Sequence, residues 1–120
     1  MSRNQWFDSP FEHLCYTVVR TKKDCKELNI NFDELSLGES GHASSNFFRD
    51  KNDKPLIVVY MPKHKGMKRL FIQSLLCHEC VHVYQEIKKL MAEIEPSIEF
   101  EAYSIQRIFQ DLSYVLWGED

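Results

Sequence analysis

The chain has 120 residues, of which 43% are hydrophobic and 28% are charged, and this balance is that of an ordinary soluble globular protein. A formal net charge of −3 excludes any strong electrostatic case for nucleic acid or for an anionic membrane as a partner. No apolar stretch approaches the length of a membrane span, and no basic and apolar leader opens the chain. We therefore expect one domain over residues 1–120 that acts in the cytoplasm.

The first predicted element is a helix from Pro10 to about Leu28. Ser9 suits the N-cap, Pro10 suits the first helical position, and Glu12 completes a capping box. The side chains that this helix would bury are Phe11, Leu14, Cys15 and Val18. The basic residues in the range 20–26 would then be the solvated end of the helix.

Residues 43–61 have the pattern of an antiparallel β-hairpin. Two extended runs, 43–48 and 56–61, flank a polar turn that ends at Pro55. The second run is continuous and β-branched, so it predicts a strand that is covered on both faces. The loop that follows leads into the next helix, and we expect His64 in that loop to be exposed between two lysines.

A helix from Leu70 to Leu90 contains the pattern His-Glu-x-x-His as His78, Glu79 and His82. Successive helical residues are about 100° apart, so the two histidines lie about 40° apart on one face and can reach a single ion. Glu79 lies about 60° from His82, close enough to hold a water on that ion without binding it. Zinc with three protein ligands keeps one position open for water, and a neighbouring carboxylate takes and returns the proton. The spacing is therefore that of a metallopeptidase site.

Chance is the competing explanation for this pattern. Two histidines and a glutamate meet at this spacing on the order of once in a few hundred chains of this length, often on a solvated helix. This helix is apolar nearly all the way round, which predicts burial in the middle of the domain. Buried there, His78, Glu79 and His82 would need partners, and a metal ion supplies one.

Four cysteines, Cys15, Cys25, Cys77 and Cys80, are expected to be reduced thiols because no secretion leader is present. Cys77-x-x-Cys80 overlaps the histidine pattern, so a zinc site of thiolates and imidazole is a rival. On a helix these two side chains point about 60° from each other and about 100° or more from the His78 direction. That geometry favours small core residues.

The last helix begins after Pro96, with Ser97 as N-cap and Glu99 in the first turn. Its apolar residues recur at alternating steps of four and three and form one continuous stripe. They are Ile98, Ala102, Ile105, Phe109, Leu112 and Leu116. Packing that stripe along the central helix would bring the acidic first turn towards His78 and His82.

With these residues the chain resembles the zincin superfamily, in its gluzincin branch. There the third zinc ligand is a glutamate on a later helix, often written Glu-x-x-Ala, which Glu99 to Ala102 matches. The chain also resembles a group of small phage and prophage proteins that share its extended pair and the sequences at 75–82 and 99–103. This likeness covers roughly two thirds of the chain. It implies a minimal zincin-like α+β domain: an N-terminal helix, a small antiparallel hairpin, the central helix and a packed C-terminal helix.

The third zinc ligand is left open between Glu99 and Glu101. Glu99 fits the family pattern, and a ligand that faces sideways into a cleft need not lie on the core face. Glu101 lies about 50° from the centre of the apolar stripe, against about 110° for Glu99. Cys80 inside the motif, and Tyr103 where gluzincins often carry Asp, depart from the family site.

The resemblance and the motif together predict a zinc metallopeptidase. His78, His82 and Glu99 would bind Zn²⁺, and Glu79 would act as the general base in hydrolysis of a peptide or protein substrate. If the protein is phage-encoded, it would act in the host cytoplasm.

Two further features of the site stay open. Tyr84 or Tyr103 would donate a hydrogen bond to the oxyanion, although a tyrosine on a helix is more often packed in a core. The alternative function is a non-catalytic phage-type interaction protein with a structural zinc site. A fourth ligand, such as His42 or a cysteine, would then close the site.

Overall fold

The computed structural model describes residues 2–37, 41–91 and 97–119. Within these ranges the fold is α+β, as predicted, with a four-stranded mixed sheet and three α-helices. The elements in chain order are β1 (Phe7–Asp8), β2 (Cys15–Val19), α1 (Lys22–Glu27), β3 (Ser44–Arg49), β4 (Pro55–Tyr60), α2 (Arg69–Leu90) and α3 (Ile98–Trp117). None of the helices in these ranges combines the length and the apolar character needed to cross a bilayer.

The sheet has the strand order β1-β2-β4-β3. Strands β2 and β4 run parallel with Thr17 opposite Val58, whereas β1 and β3 are antiparallel to their neighbours. Strand β3 therefore lies at one edge of the described sheet, with Asn46 opposite Val58 and Ser44 opposite Tyr60.

The predicted hairpin is confirmed as β3 and β4. Its turn is held by the Asp50 carboxylate, which accepts hydrogen bonds from the backbone N–H of Asn52 at 2.8 Å and of Lys54 at 2.9 Å. Burial of β4 on both faces is also confirmed. Ile57 belongs to the main core under α2 and α3, and Val58 belongs to a second cluster on the side of α1.

The predicted helix from Pro10 to Leu28 is wrong. A short 3₁₀ turn occupies Pro10–Glu12, β2 follows it, and the helix α1 covers only Lys22–Glu27. The run from Cys15 to Val19 is β-branched and aromatic, and its pairing with β4 buries it, which outweighs the capping pattern upstream. Ser9 Oγ accepts a hydrogen bond from the Leu14 backbone N–H at 3.0 Å instead of capping a helix.

Helix α2 lies against the sheet and α3 with one side only, so the expectation of a helix buried all round is wrong. Its buried residues are Ile72, Leu76, Glu79, Cys80, Val83, Tyr84 and Ile87. The opposite side is open to solvent, because a chain of this size has no further layer to cover it.

Helix α3 packs antiparallel along α2. The guanidinium of Arg69 lies 4.7 Å from the ring centroid of Trp117 at one end, and the rings of Tyr84 and Phe100 are 6.4 Å apart at the other. Ser97 is confirmed as N-cap, since its Oγ accepts from the Phe100 backbone N–H at 3.0 Å. The helix break predicted at Pro96 lies outside the described residues.

Candidate metal centre

The imidazoles of His78 and His82 converge on the open side of α2. Their Nε2 atoms lie 3.1 Å apart, and the ring centroids are 4.8 Å apart. Two nitrogens bound to one tetrahedral zinc ion at about 2.0–2.1 Å would lie about 3.3–3.4 Å from each other. A small ring rotation reaches that spacing, so the pair fits the predicted zinc ion. An N–H···N hydrogen bond between the rings explains the same distance without an ion.

Gln85 orients one of these rings. Its Oε1 lies 3.1 Å from Nδ1 of His82, at hydrogen-bond distance. When the Nδ1–H of His82 donates to this oxygen, the lone pair is on Nε2 and points towards His78. Ligating histidines in metal sites use this arrangement, in which the second ring nitrogen donates to a fixed acceptor.

Glu79 lies on the side of α2 that faces β3. Its side chain is buried, and its Oε1 accepts a hydrogen bond from Ser45 Oγ at 2.7 Å. A buried carboxylate is costly without a donor, and the hydroxyl of the edge strand supplies one. Ser45 was not among the predicted site residues, because nothing in the local sequence shows that β3 crosses α2 at this point.

Both histidines are exposed, so the prediction that all three motif residues are buried is wrong for His78 and His82. Exposed imidazoles can bind water, so neither of them needs a metal ion as a partner. Their exposure has a different consequence, since a catalytic metal site must leave one position open to water and substrate.

No third ligand stands beside the imidazole pair in the described part of the chain. Within residues 2–37, 41–91 and 97–119, no group of three or more His, Cys, Asp and Glu side chains is arranged to hold a metal ion. Glu99 and Glu101 are both exposed in the first turn of α3. The choice between them stays a prediction.

The faces of α3 distinguish the two glutamates. Glu101 precedes Ile105 by four residues and Ile108 by seven, so it continues the stripe that packs into the core. Glu99 precedes Tyr103 by four residues, and Tyr103 is 67% exposed. This arrangement favours Glu101, in contrast to the family pattern, which favours Glu99.

The two tyrosines predicted as oxyanion donors lie away from the imidazoles. Tyr84 on α2 is buried against Phe100 of α3, and its side chain points about 160° away from the direction of the His82 side chain. Tyr103 lines the outer surface of α3 near Pro10. Their positions give the oxyanion role no support.

The cysteines divide between core and surface. Cys80 is fully buried, and burial raises the pKa of its thiol, which suits a neutral core residue. Cys77 is exposed, so its prediction as a core residue is wrong. All four cysteines are free thiols.

His42, the possible fourth ligand, belongs to a separate aromatic group. Its ring packs edge-to-face against His64 and Phe71, with 5.5 Å between centroids in each case. The prediction that His64 is exposed is wrong, because the side chain is half-buried and its Nε2 is enclosed.

Comparisons with known proteins assign no family. No protein-family model, no curated protein and no solved structure matches the chain.

Proposed function

We propose that this protein is a small zinc-dependent peptidase with a zincin-like fold. The observation that carries the proposal is the convergence of the His78 and His82 Nε2 atoms at 3.1 Å on an exposed helix face, with Glu79 adjacent in sequence. A shared ion would explain why two exposed imidazoles converge on each other.

Each residue of the motif has a distinct task in this proposal. A bound zinc ion supplies a Lewis acid that polarises the substrate carbonyl and acidifies a water molecule. His78 and His82 hold the ion, and Glu79 accepts the proton of the attacking water and returns it to the leaving amine. Ser45 fixes the Glu79 carboxylate through one oxygen, which leaves the other for proton transfer.

A peptide is the substrate that the surroundings favour. Strand β3 is at the edge of the described sheet and carries Ser45, so its outer backbone groups run beside the catalytic residues. An extended peptide can add to such an edge through main-chain hydrogen bonds. The alternative of a closed structural zinc site gains no support from the exposed imidazoles or from the position of His42.

The Glu79→Gln variant tests this assignment. The amide cannot accept a proton, so hydrolysis of casein peptides by the zinc-loaded protein should fall at least about 100-fold. Zinc content and circular dichroism should stay unchanged, because Glu79 is not proposed as a ligand.

Glu86→Gln is the matched control. Glu86 lies two turns further along α2 on the same side; it is half-buried and makes an ion pair with the exposed Lys89. Its substitution should leave hydrolysis within about twofold, since an ion pair at the protein surface contributes little. Equal losses in both variants, or loss of zinc from Glu79→Gln, would remove the assigned role of Glu79.

A further inference from the structure

Residues 62–68, here called the basic loop, lie between β4 and α2 and contain Lys63, Lys65 and Lys68. The three lysines are exposed. None of the ion pairs formed among the described residues involves them. Three cations without a described counter-ion therefore point into solvent within six residues of chain.

The segments that flank the basic loop contain no acidic residues that could neutralise its positive charge. The chain has 18 acidic residues, but there are none in the ranges 41–49 and 54–78, which include β3, β4, the loop and the first half of α2. Helix α2 has no acidic residue in its first turn, and Lys68 occupies its N-cap position without a side-chain capping bond. Positive side chains at the positive end of a helix dipole are unfavourable, so an anionic partner would be stabilised there.

The basic loop adjoins the candidate metal centre through two elements. Lys68 precedes His78 by ten helical residues, which is about 15 Å along α2. Ser45, which binds Glu79, follows His42 by three residues at the start of β3, and the His42 ring contacts His64 of the loop. That distance is about 10 Å along extended chain. A depression of about 500 Å³ lies at this junction, lined by the side chains of His42, His64, Lys65, Lys68 and Phe71 among others.

We infer that the basic loop recognises acidic side chains of the peptide substrate. An extended peptide covers about 3.3 Å per residue, so a substrate whose scissile bond lies at the imidazole pair would reach the loop with side chains three to five residues from that bond. This inference rests on the proposed function, and it adds a preference for acidic sequences. The carboxylates of such a segment would pair with Lys63, Lys65 and Lys68.

A peptide fits the charge distribution better than a nucleic acid does. The whole chain has a net charge of −3, so a long polyanion that extended beyond the loop would meet a predominantly acidic protein. A short acidic segment of an otherwise neutral peptide would gain the local attraction and avoid that repulsion.

Binding of labelled peptides to the Glu79→Gln protein, which cannot turn them over, tests the inference. The probe is a fluorescein-labelled peptide of about twelve Gly, Ser and Ala residues with a glutamate block, long enough in extended form to span loop and site. Its partner probe has glutamines in place of the glutamates. We expect the acidic peptide to bind at least about tenfold more tightly at low salt, with the advantage lost near 1 M salt.

Two sets of substitutions with equal charge change locate the effect. Replacing Lys63, Lys65 and Lys68 by Gln should weaken binding of the acidic peptide about tenfold or more, and leave the neutral peptide unchanged. Replacing the exposed residues Lys22, Lys23 and Lys26 of α1 by Gln should change binding less than about twofold. The double variant of Lys63 and Lys65 leaves the helix N-cap intact and should show an intermediate loss.

Three outcomes would overturn the inference: equal binding of acidic and neutral peptides, equal losses from the loop and α1 substitutions, or tighter loop-dependent binding of single-stranded DNA than of the acidic peptide.

The binding measurement needs no catalysis. If the acidic peptide binds through the loop but the wild type cleaves nothing, the proposed peptidase function fails and loop recognition stands. If the wild type cleaves peptides without acidic residues as fast as it cleaves acidic ones, the inference fails and the peptidase function stands.

Discussion

The Glu79 side chain is only 5% exposed, although it lies one residue from an exposed histidine. Its burial follows from the direction of its side chain, which points from α2 under β3 and meets Ser45. A carboxylate enclosed in this way exchanges water for one fixed donor. The same contact holds the Glu79 side chain in one orientation, which its proposed role as general base would require.

Substitution of two neighbouring glutamates, Glu99 and Glu101, tests which of them is the third zinc ligand. Glu101→Gln should weaken zinc binding by more than about 100-fold if Glu101 is the ligand. Even the substitution of a residue that only hydrogen-bonds to a ligand typically lowers metal affinity about 10–100-fold. Glu99→Gln makes the same chemical change on the exposed face of α3 and should alter zinc affinity less than about threefold. Competition with a chromogenic zinc chelator gives both affinities. A larger loss for Glu99→Gln would show that the family pattern is the better guide.

The candidate site could be predicted from sequence only where its residues share one helix. His78, Glu79 and His82 are fixed relative to each other by helical geometry, and that local relation needs no knowledge of the fold. The contact between Ser45 and Glu79 depends on where β3 crosses α2. The exposure of the two histidines depends on which side of α2 the sheet and α3 cover.

A helix or strand could be predicted where its sequence pattern is local and is compatible with only one type of secondary structure. The hairpin of β3 and β4 has a polar turn between two extended runs, and α3 has a long periodic stripe. Strand β2 could not be predicted in this way, because it forms through parallel pairing with β4, and the two segments are about forty residues apart in the chain. The capping residues before it therefore suggested a helix that long-range pairing prevents.

Helix α3 is attached to the sheet through a buried polar contact. The Tyr16 hydroxyl on β2 donates to Oδ2 of Asp111 at 2.5 Å, and Arg107 Nε lies 3.2 Å from Oδ1 of the same carboxylate. Tyr16 is fully buried. Burial, together with the hydrogen bond to Asp111, raises the pKa of the Tyr16 phenol well above its ordinary value.

Tyr16→Phe should lower the free energy of unfolding at pH 7 by about 1–3 kcal/mol, because a buried acceptor loses its donor. The raised pKa adds a pH dependence. The phenol ionises near pH 10 in the unfolded chain but not in the native protein, so its contribution is full below pH 10 and is lost above it. The phenylalanine cannot ionise. The difference between the proteins should therefore narrow by up to about 1.4 kcal/mol per pH unit above 10.

Urea unfolding at pH 7 and at about pH 10.5 measures both effects. Tyr60→Phe, at a half-buried tyrosine of β4, is the control and should cost less than about 0.5 kcal/mol at either pH. A Tyr16→Phe difference that stays constant between the two pH values would contradict the linkage.

At the scale of the whole molecule, α2 and α3 pack along each other, and the imidazole pair lies on the side of α2 that is open to solvent. The two helices pack through Phe100 and Tyr84 near the first turn of α3, close in sequence to Glu99 and Glu101. An ion bound by both helices would stabilise the native state in proportion to the logarithm of its concentration over its dissociation constant. In such a small domain that contribution would be a large part of the total stability.

Metal analysis of protein purified without a metal-affinity tag tests the central claim most directly. After dialysis with zinc, we expect the wild type to retain about one equivalent, because the proposed site of two imidazoles and one glutamate carboxylate would release zinc slowly. His82→Ala should retain almost none, whereas His13→Ala, outside the motif, should retain the wild-type amount. Less than about a tenth of an equivalent in the wild type, with no uptake on titration, would contradict the assignment of a zinc site to His78 and His82.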